Sequence, residues 1–197
     1  MNDIPNSTAP ARRRFIVAAC TLMIAGCAAT APYPDTPQLD RLLELIARRL
    51  SYMNDVARNK WNSGAPIEDL PREREIIDGL AREAPQYGVD PALARDFFRA
   101  QIEASKIIQR TRFAEWKAQG QAPFKSLPDL RESIRPALDA LTPELMRALA
   151  AALPALKSPD AAALIRSRAQ AVIPMIREDV PACDEAIAPL LRVVGGL

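Results

Sequence analysis

Histidine is absent from all 197 residues. That removes every mechanism needing an imidazole: Ser-His-Asp and Cys-His catalysis, histidine-ligated zinc and His-Glu-x-x-His sites. Net charge is small, with 26 Lys and Arg against 24 Asp and Glu, so no electrostatic footprint for nucleic acid exists. Glycine is scarce at 7 residues, and no stretch sustains period-two alternation, which argues against strands. Only 3 cysteines occur, and Cys20 and Cys27 lie near the N-terminus. Cys183 is then alone in the folded part, so no intramolecular disulfide is expected there, and it reads as a small buried hydrophobe. The composition, 25% charged and 49% apolar, excludes wholesale disorder, and the length suits one domain with a real core.

What is present begins with an address. Arg12, Arg13 and Arg14 precede an uncharged, mostly apolar run from Phe15 to Gly26. The run is too short to span a bilayer and suits the hydrophobic part of an export signal. It ends Ile24-Ala25-Gly26-Cys27, which resembles a bacterial lipoprotein cleavage box with Cys27 as the acylated residue. Arg13-Arg14-Phe15 loosely resembles a twin-arginine signal. Ordinary cleavage near Ala29, giving a soluble periplasmic product, is the alternative. The expected organisation is an export signal over 1–26, a Pro-rich tether over 27–37 and one helical domain over 38–197, its core helices within 38–119 and supporting helices within 120–197. Removing residues 1–26 takes away Asp3 and three arginines and leaves net charge zero, so any attraction for an anion must be local.

Proline marks out the helices. It is missing from 38 to 65 and from 92 to 122, and it costs about 3 kcal/mol inside a helix, so these gaps hold the longest ones. In the first gap Leu39, Leu42, Leu43, Ile46, Leu50, Met53 and Val56 form an amphipathic stripe, with Asp35 or Thr36 to cap it and Pro37 in the first turn. A second helix is expected from about Glu68 to Ala84, and a third from about Pro91 to Ala118 behind the N-cap Asp90. The Ala- and Leu-rich remainder, interrupted by seven prolines from Pro136 to Pro189, reads as several shorter helices packed on these. The predicted fold is all-α: a bundle of three main N-terminal helices with a shorter-helix C-terminal half packed on them.

Polar residues on apolar faces point to chemistry. Arg49 and Lys60 are about three turns apart and share a face with Met53 and Val56, their backbones about 16 Å apart along the axis. Either both arms reach one small anion between them, or each snorkels to water. Ser105 and Gln109, an i, i+4 pair beside Phe98, Ile102 and Ile108, need hydrogen-bond partners in the protein, in water or in a ligand. Asp69 and Glu73 suit a helix N-terminus, whereas Arg72 there calls for an anion or a buried carboxylate. Lys106, Arg110, Arg112 and Lys117 read as an ordinary solvated face, and Trp61 and Trp116 as packing aromatics.

Taken jointly, these residues resemble the helical chorismate mutases, the class often called AroQ, in their exported form. That family carries Arg, Lys eleven later, Asp nine after that, Arg three later, then Glu; Ser and Gln follow 32 and 36 residues beyond the Glu. Arg49, Lys60, Asp69, Arg72, Glu73, Ser105 and Gln109 fill every place without insertion. The resemblance covers about Leu39 to Leu141. In the exported branch one chain builds the whole site and a further Arg follows the third helix; Arg135 is the candidate and Arg131 the alternative. Some exported relatives have Thr and Glu at the positions of Ser105 and Gln109, and some staple the C-terminal half with a disulfide, which a lone Cys183 cannot form.

The resemblance implies rearrangement of chorismate to prephenate in one pericyclic step, with no metal or cofactor, and a homodimer. It implies that Lys60 and Gln109 donate to the ether oxygen, that Arg49 and Arg135 clamp carboxylates with Ser105 and the backbone near Asp69, that Glu73 accepts the ring hydroxyl, and that Arg72 orders the loop. Two competing readings are a non-catalytic helical periplasmic lipoprotein that binds an anionic metabolite or protein partner, and a coiled-coil-like envelope protein. The latter is disfavoured because the apolar stripe is broken by loops and proline.

Overall fold

The computed structural model describes residues 36–173 and 179–195. The export signal over 1–26 and nearly all of the tether lie outside the described residues. Among the described residues seven α-helices follow one another: α1 (Pro37–Ser51), α2 (Met53–Ser63), α3 (Leu70–Glu83), α4 (Pro91–Gln119), α5 (Arg135–Leu156), α6 (Ala161–Val172) and α7 (Val180–Gly195). A 3₁₀ turn, Ala84–Tyr87, ends α3, and a wide π-type turn, Leu130–Ile134, leads into α5. No strand occurs among the described residues, and no described helix is long and apolar enough to cross a membrane.

The expected first helix forms, but with an offset. α1 buries Leu39, Leu42, Leu43, Leu45, Ile46 and Leu50. The chain steps at Tyr52, where the Ser51 hydroxyl donates to the Arg48 carbonyl, a local competitor for the helical ladder that bends helices. α2 starts directly after it, the Val56 N–H donating to the Tyr52 carbonyl at 3.0 Å. Thr36 occupies the cap position of α1 without making a cap bond, and Pro37 begins the helix.

The 29-residue α4 is the axle of the molecule. Asp90 caps it, its Oδ1 accepting from the N–H groups of Ala92 and Leu93, and Gly120 ends it at φ 63°. That left-handed conformation suits glycine because a Cβ would crowd the backbone. One side of α4 packs on α7, others on α3 and α2, while α1 packs on α5 and α6. Phe97, Ala104 and Ile108 are among its buried residues, and each large apolar side chain so enclosed contributes roughly 1.5–3 kcal/mol.

Proline interrupts the C-terminal half less than the sequence suggests. α5 runs for 22 residues through Pro143 and Pro154. Each proline removes one N–H from the ladder, but Leu141, Leu145, Met146, Leu149 and Leu156 are buried on the same helix, and their burial outweighs the loss. This half is held without a disulfide; Cys183 is a free, buried thiol whose pKa burial pushes up to about 11. Polar latches hold it instead. Arg112 pairs with Asp179 at 2.9 Å, Arg168 makes a forked pair with Asp40, and the Gln101 amide donates to the Ala186 carbonyl at 2.8 Å. The last bond lies one turn before Pro189, where the ladder of α7 is weakest.

Trp61, Phe113, Trp116 and Phe124 pack edge to face as a structural cluster, as expected. Asn59, Trp61 and Asn62 of α2 donate to the carbonyls of Pro128, Gln121 and Phe124, pinning the loop that leads to α5.

Candidate active site

A cleft of about 1060 Å³ opens along the side of α4, walled by α1, α2, α3 and α5. Arg49, Lys60, Asp69, Arg72, Glu73, Ser105, Gln109 and Arg135 all line it. Arg131 does not; it lies in the wide turn that precedes α5, and the turn sets the register at which Arg135 meets the cleft.

Arg49 rises from the last turn of α1 against α4. Its Nη1 donates to the Ser105 hydroxyl at 2.6 Å and to the Gln101 carbonyl at 3.2 Å. Among the described residues no carboxylate pairs with it, and burial lowers its pKa to about 10, so it stays charged at neutral pH. A desolvated guanidinium with only neutral partners is costly unless an anion joins it. Ser105 in turn donates to the Gln101 carbonyl at 2.6 Å, which fixes the hydroxyl facing Arg49.

Lys60 comes from the last turn of α2. Gly64, at φ 66°, reverses the chain there, and the returning loop offers the Ile67 carbonyl to Nζ at 2.8 Å. Burial lowers the pKa of Lys60; Asp69, Glu68 and Glu73 oppose the shift, and Arg135 reinforces it. Lys60 and Arg135 line the same cleft, so two cations face one space. Two of the three ammonium donors remain for a ligand.

The start of α3 is a reciprocal cap. Asp69 accepts from the Arg72 N–H at 3.3 Å, and Glu73 Oε1 accepts from the Asp69 N–H at 3.1 Å. Both N–H groups are thus engaged by side chains, including the backbone near Asp69 expected to face a carboxylate. Arg72 is exposed at the cleft mouth and pairs with no carboxylate among the described residues.

Gln109 is buried on α4, its Nε2 donating to the Ser105 carbonyl at 3.0 Å. Its second N–H is available, and its Oε1 has no partner although it is enclosed. A buried amide left half satisfied in a cleft wall is an invitation to a polar ligand.

Two cations assigned to a solvated face are not solvated. Lys106 is buried in the cleft wall against Glu73, and Arg112 is largely enclosed between Asn54 and Asp179. Arg110, paired with Glu68, and Lys117 are exposed, as expected. α4 is packed on several sides at once, so a one-sided amphipathic pattern misplaces its flanks.

Known proteins resemble this chain in sequence and in fold. The profile of the family described as "Chorismate mutase type II" matches residues 39–110. The secreted chorismate mutase of Mycolicibacterium smegmatis is 37% identical over 125 residues, which is 64% of this chain and 68% of that protein. This chain belongs to the chorismate mutase family. The secreted chorismate mutase of Mycobacterium tuberculosis is 32% identical over 128 residues, covering 65% of this chain and 64% of its own length. The crystal structure of chorismate mutase from Burkholderia thailandensis superposes with a TM-score of 0.73 at 35% identity, over 79% of this chain and 99% of that one.

Within this chorismate mutase the residue that sequence reasoning missed is Lys106. The signal was there: it stands next to Ser105 and three before Gln109, so it borders the face those two define.

Proposed function

We propose that the cleft binds chorismate, catalyses its rearrangement to prephenate, and does so with the eight side chains named above. The substrate is a dicarboxylate that must curl into a compact shape before one C–O bond breaks and one C–C bond forms. The observation that carries the reading is Arg49: a part-buried guanidinium held by neutral groups, in a cleft that also receives Lys60, Arg72 and Arg135.

Arg49 and Arg135 bind the two carboxylates through forked donors, and Ser105 holds Arg49 in place. Fixing both ends converts the rare curled conformer into the bound one, which lowers the barrier through orientation. Negative charge grows on the ether oxygen as its bond to carbon stretches. Lys60 supplies an ammonium N–H there and Gln109 an amide N–H, both stronger partners for the transition state than for the ground state. Glu73 accepts the ring hydroxyl; its oxygens each make one bond in the protein and keep lone pairs for it. Arg72 orders the loop and part of the ligand shell.

The mycobacterial relatives are secreted enzymes, and export of this chain fits its N-terminal signal. A lipid anchor at Cys27 and a homodimer extend that reading; mass spectrometry of the membrane fraction and sedimentation of the pure protein test them. The function itself is tested by incubating the purified protein with chorismate and following prephenate. Thermal stabilisation by chorismate without conversion would favour the non-catalytic binder.

A further inference from the structure

Lys106 brings a second kind of cation to the cleft wall. It is 5% exposed, with Nζ 2.9 Å from Oε2 of Glu73, and it also pairs with Oε1 of Glu103 one turn back on α4. Glu73 is thereby held at both ends of its carboxylate. Oε2 is fixed from α4 by Lys106, and Oε1 from the start of α3 by the Asp69 N–H. Two anchors on different elements stop rotation about the side chain's three torsions, which a single bond does not. Burial works against the charge of Lys106, but its hydrogen bonds to Glu103 and Glu73, with the charge of those carboxylates, outweigh it and raise its pKa.

We propose that Lys106 is the positioning residue for Glu73: it aims the free lone pairs of that carboxylate at the ring hydroxyl of the ligand. The proposal rests on the reading of this cleft as the mutase site. Glu103, more exposed than Glu73, steadies Lys106 and contributes little itself. The arrangement differs from the direct grip of Arg49. The charge of Lys106 is matched by two carboxylates, whereas that of Arg49 is matched by none among the described residues.

The test is a double-mutant cycle on chorismate conversion: wild type, Glu73→Gln, Lys106→Gln and the double variant. The hydroxyl contact exists in the ground state and the transition state alike, so its loss is read in KM. Lys106→Gln is expected to raise KM at least about tenfold with kcat changed far less, since a charge-assisted contact has been misaimed. On the Glu73→Gln background the same substitution is expected to change kcat/KM less than about twofold, because nothing is left to aim. Effects that multiply would show that Lys106 acts directly on the dianion and would overturn the proposal; so would an unchanged KM in the single variant. A general folding defect lowers the active fraction and hence kcat, not KM. If Lys106→Gln alone does not fold, Lys106→Arg, which keeps the cation but shifts its donors, replaces it in both limbs of the cycle with the same expected outcomes. A wild type that does not turn over chorismate removes the function and this proposal together, whereas an active wild type with an indifferent Lys106 removes only the positioning role.

Discussion

α4 presents two buried cation–carboxylate pairs six residues apart, and they have different consequences. Lys106 meets Glu73 on the side where α3 leans over the cleft, and Arg112 meets Asp179 on the side where α7 packs. Both pairs are mostly enclosed, and both link α4 to a neighbouring helix. They differ in what lies beyond them. Past Glu73 is an open cleft with unmatched donors; past Asp179, among the described residues, lie the buried Ala182, Cys183 and Ala186 of α7. The same bond therefore aims a side chain in one place and fixes a helix in the other. The C-terminal half is held here by Arg112, Gln101 and Arg168.

The strongest way to break this division is Lys60→Ala on the cleft side. One preorganised donor to developing charge is typically worth about 3–4 kcal/mol, so turnover is expected to fall at least a hundredfold while the thermal midpoint stays near wild type. Near-normal turnover removes Lys60 from the ether oxygen. The complementary substitution is Arg112→Met. It leaves the enclosed Asp179 carboxylate without this partner and is expected to lower the stability measured by urea unfolding by about 2–3 kcal/mol. Chorismate conversion per folded molecule is expected to stay within about twofold. A large loss of conversion in the folded protein would mean that the α7 side also shapes the site.

The two sides were unequally legible in the sequence. The helices around the cleft follow from proline-free gaps and from caps such as Asp90 with Pro91, and α4 closes within a residue or so of its expected end because Gly120 follows it. The candidate site residues were readable only jointly, through the resemblance: Arg49, Lys60, Ser105 and Gln109 interrupt apolar faces at helical spacing, but that alone left snorkelling or internally satisfied side chains open. Lys106 and Arg112 were not, because a pattern scored against one buried face assigns the flanks to water, and α4 has neighbours on several sides. Long-range latches such as Arg168 to Asp40 join residues 128 apart, and no local spacing predicts them. Pro143 and Pro154 were expected to end helices; burial of the surrounding leucines decides otherwise.

A smaller effect sharpens the cleft side through pH. Gln109 does not titrate, so activity is expected to be nearly level from mildly acid to neutral pH. Gln109→Glu would donate only when protonated, and its activity is expected to fall about tenfold per unit above the carboxyl pKa. A level profile in that variant excludes Gln109 as the ether donor. On the alkaline side Lys60 must be protonated, and burial lowers its pKa, so the activity of free enzyme is expected to decline below the pH at which an ordinary lysine titrates. Stability follows the opposite sign: a cation with a lowered folded pKa binds protons less readily than in the unfolded chain, so its contribution to folding improves as pH rises through that range.

The smallest effect is expected at the third, solvated face of α4. Arg110 pairs with Glu68 at 2.6 Å, shorter than either buried pair, yet both side chains are about half exposed. Distance alone would rank it first. Solvent screening and the entropy of ordering two long side chains rank it last. Arg110→Ala is therefore expected to leave both the thermal midpoint and kcat/KM within the scatter of wild type, beside the large stability loss of Arg112→Met two residues away. Equal losses at the two positions would mean that enclosure is not what separates the pairs, and the distinction between the faces of α4 would have to be drawn from geometry instead.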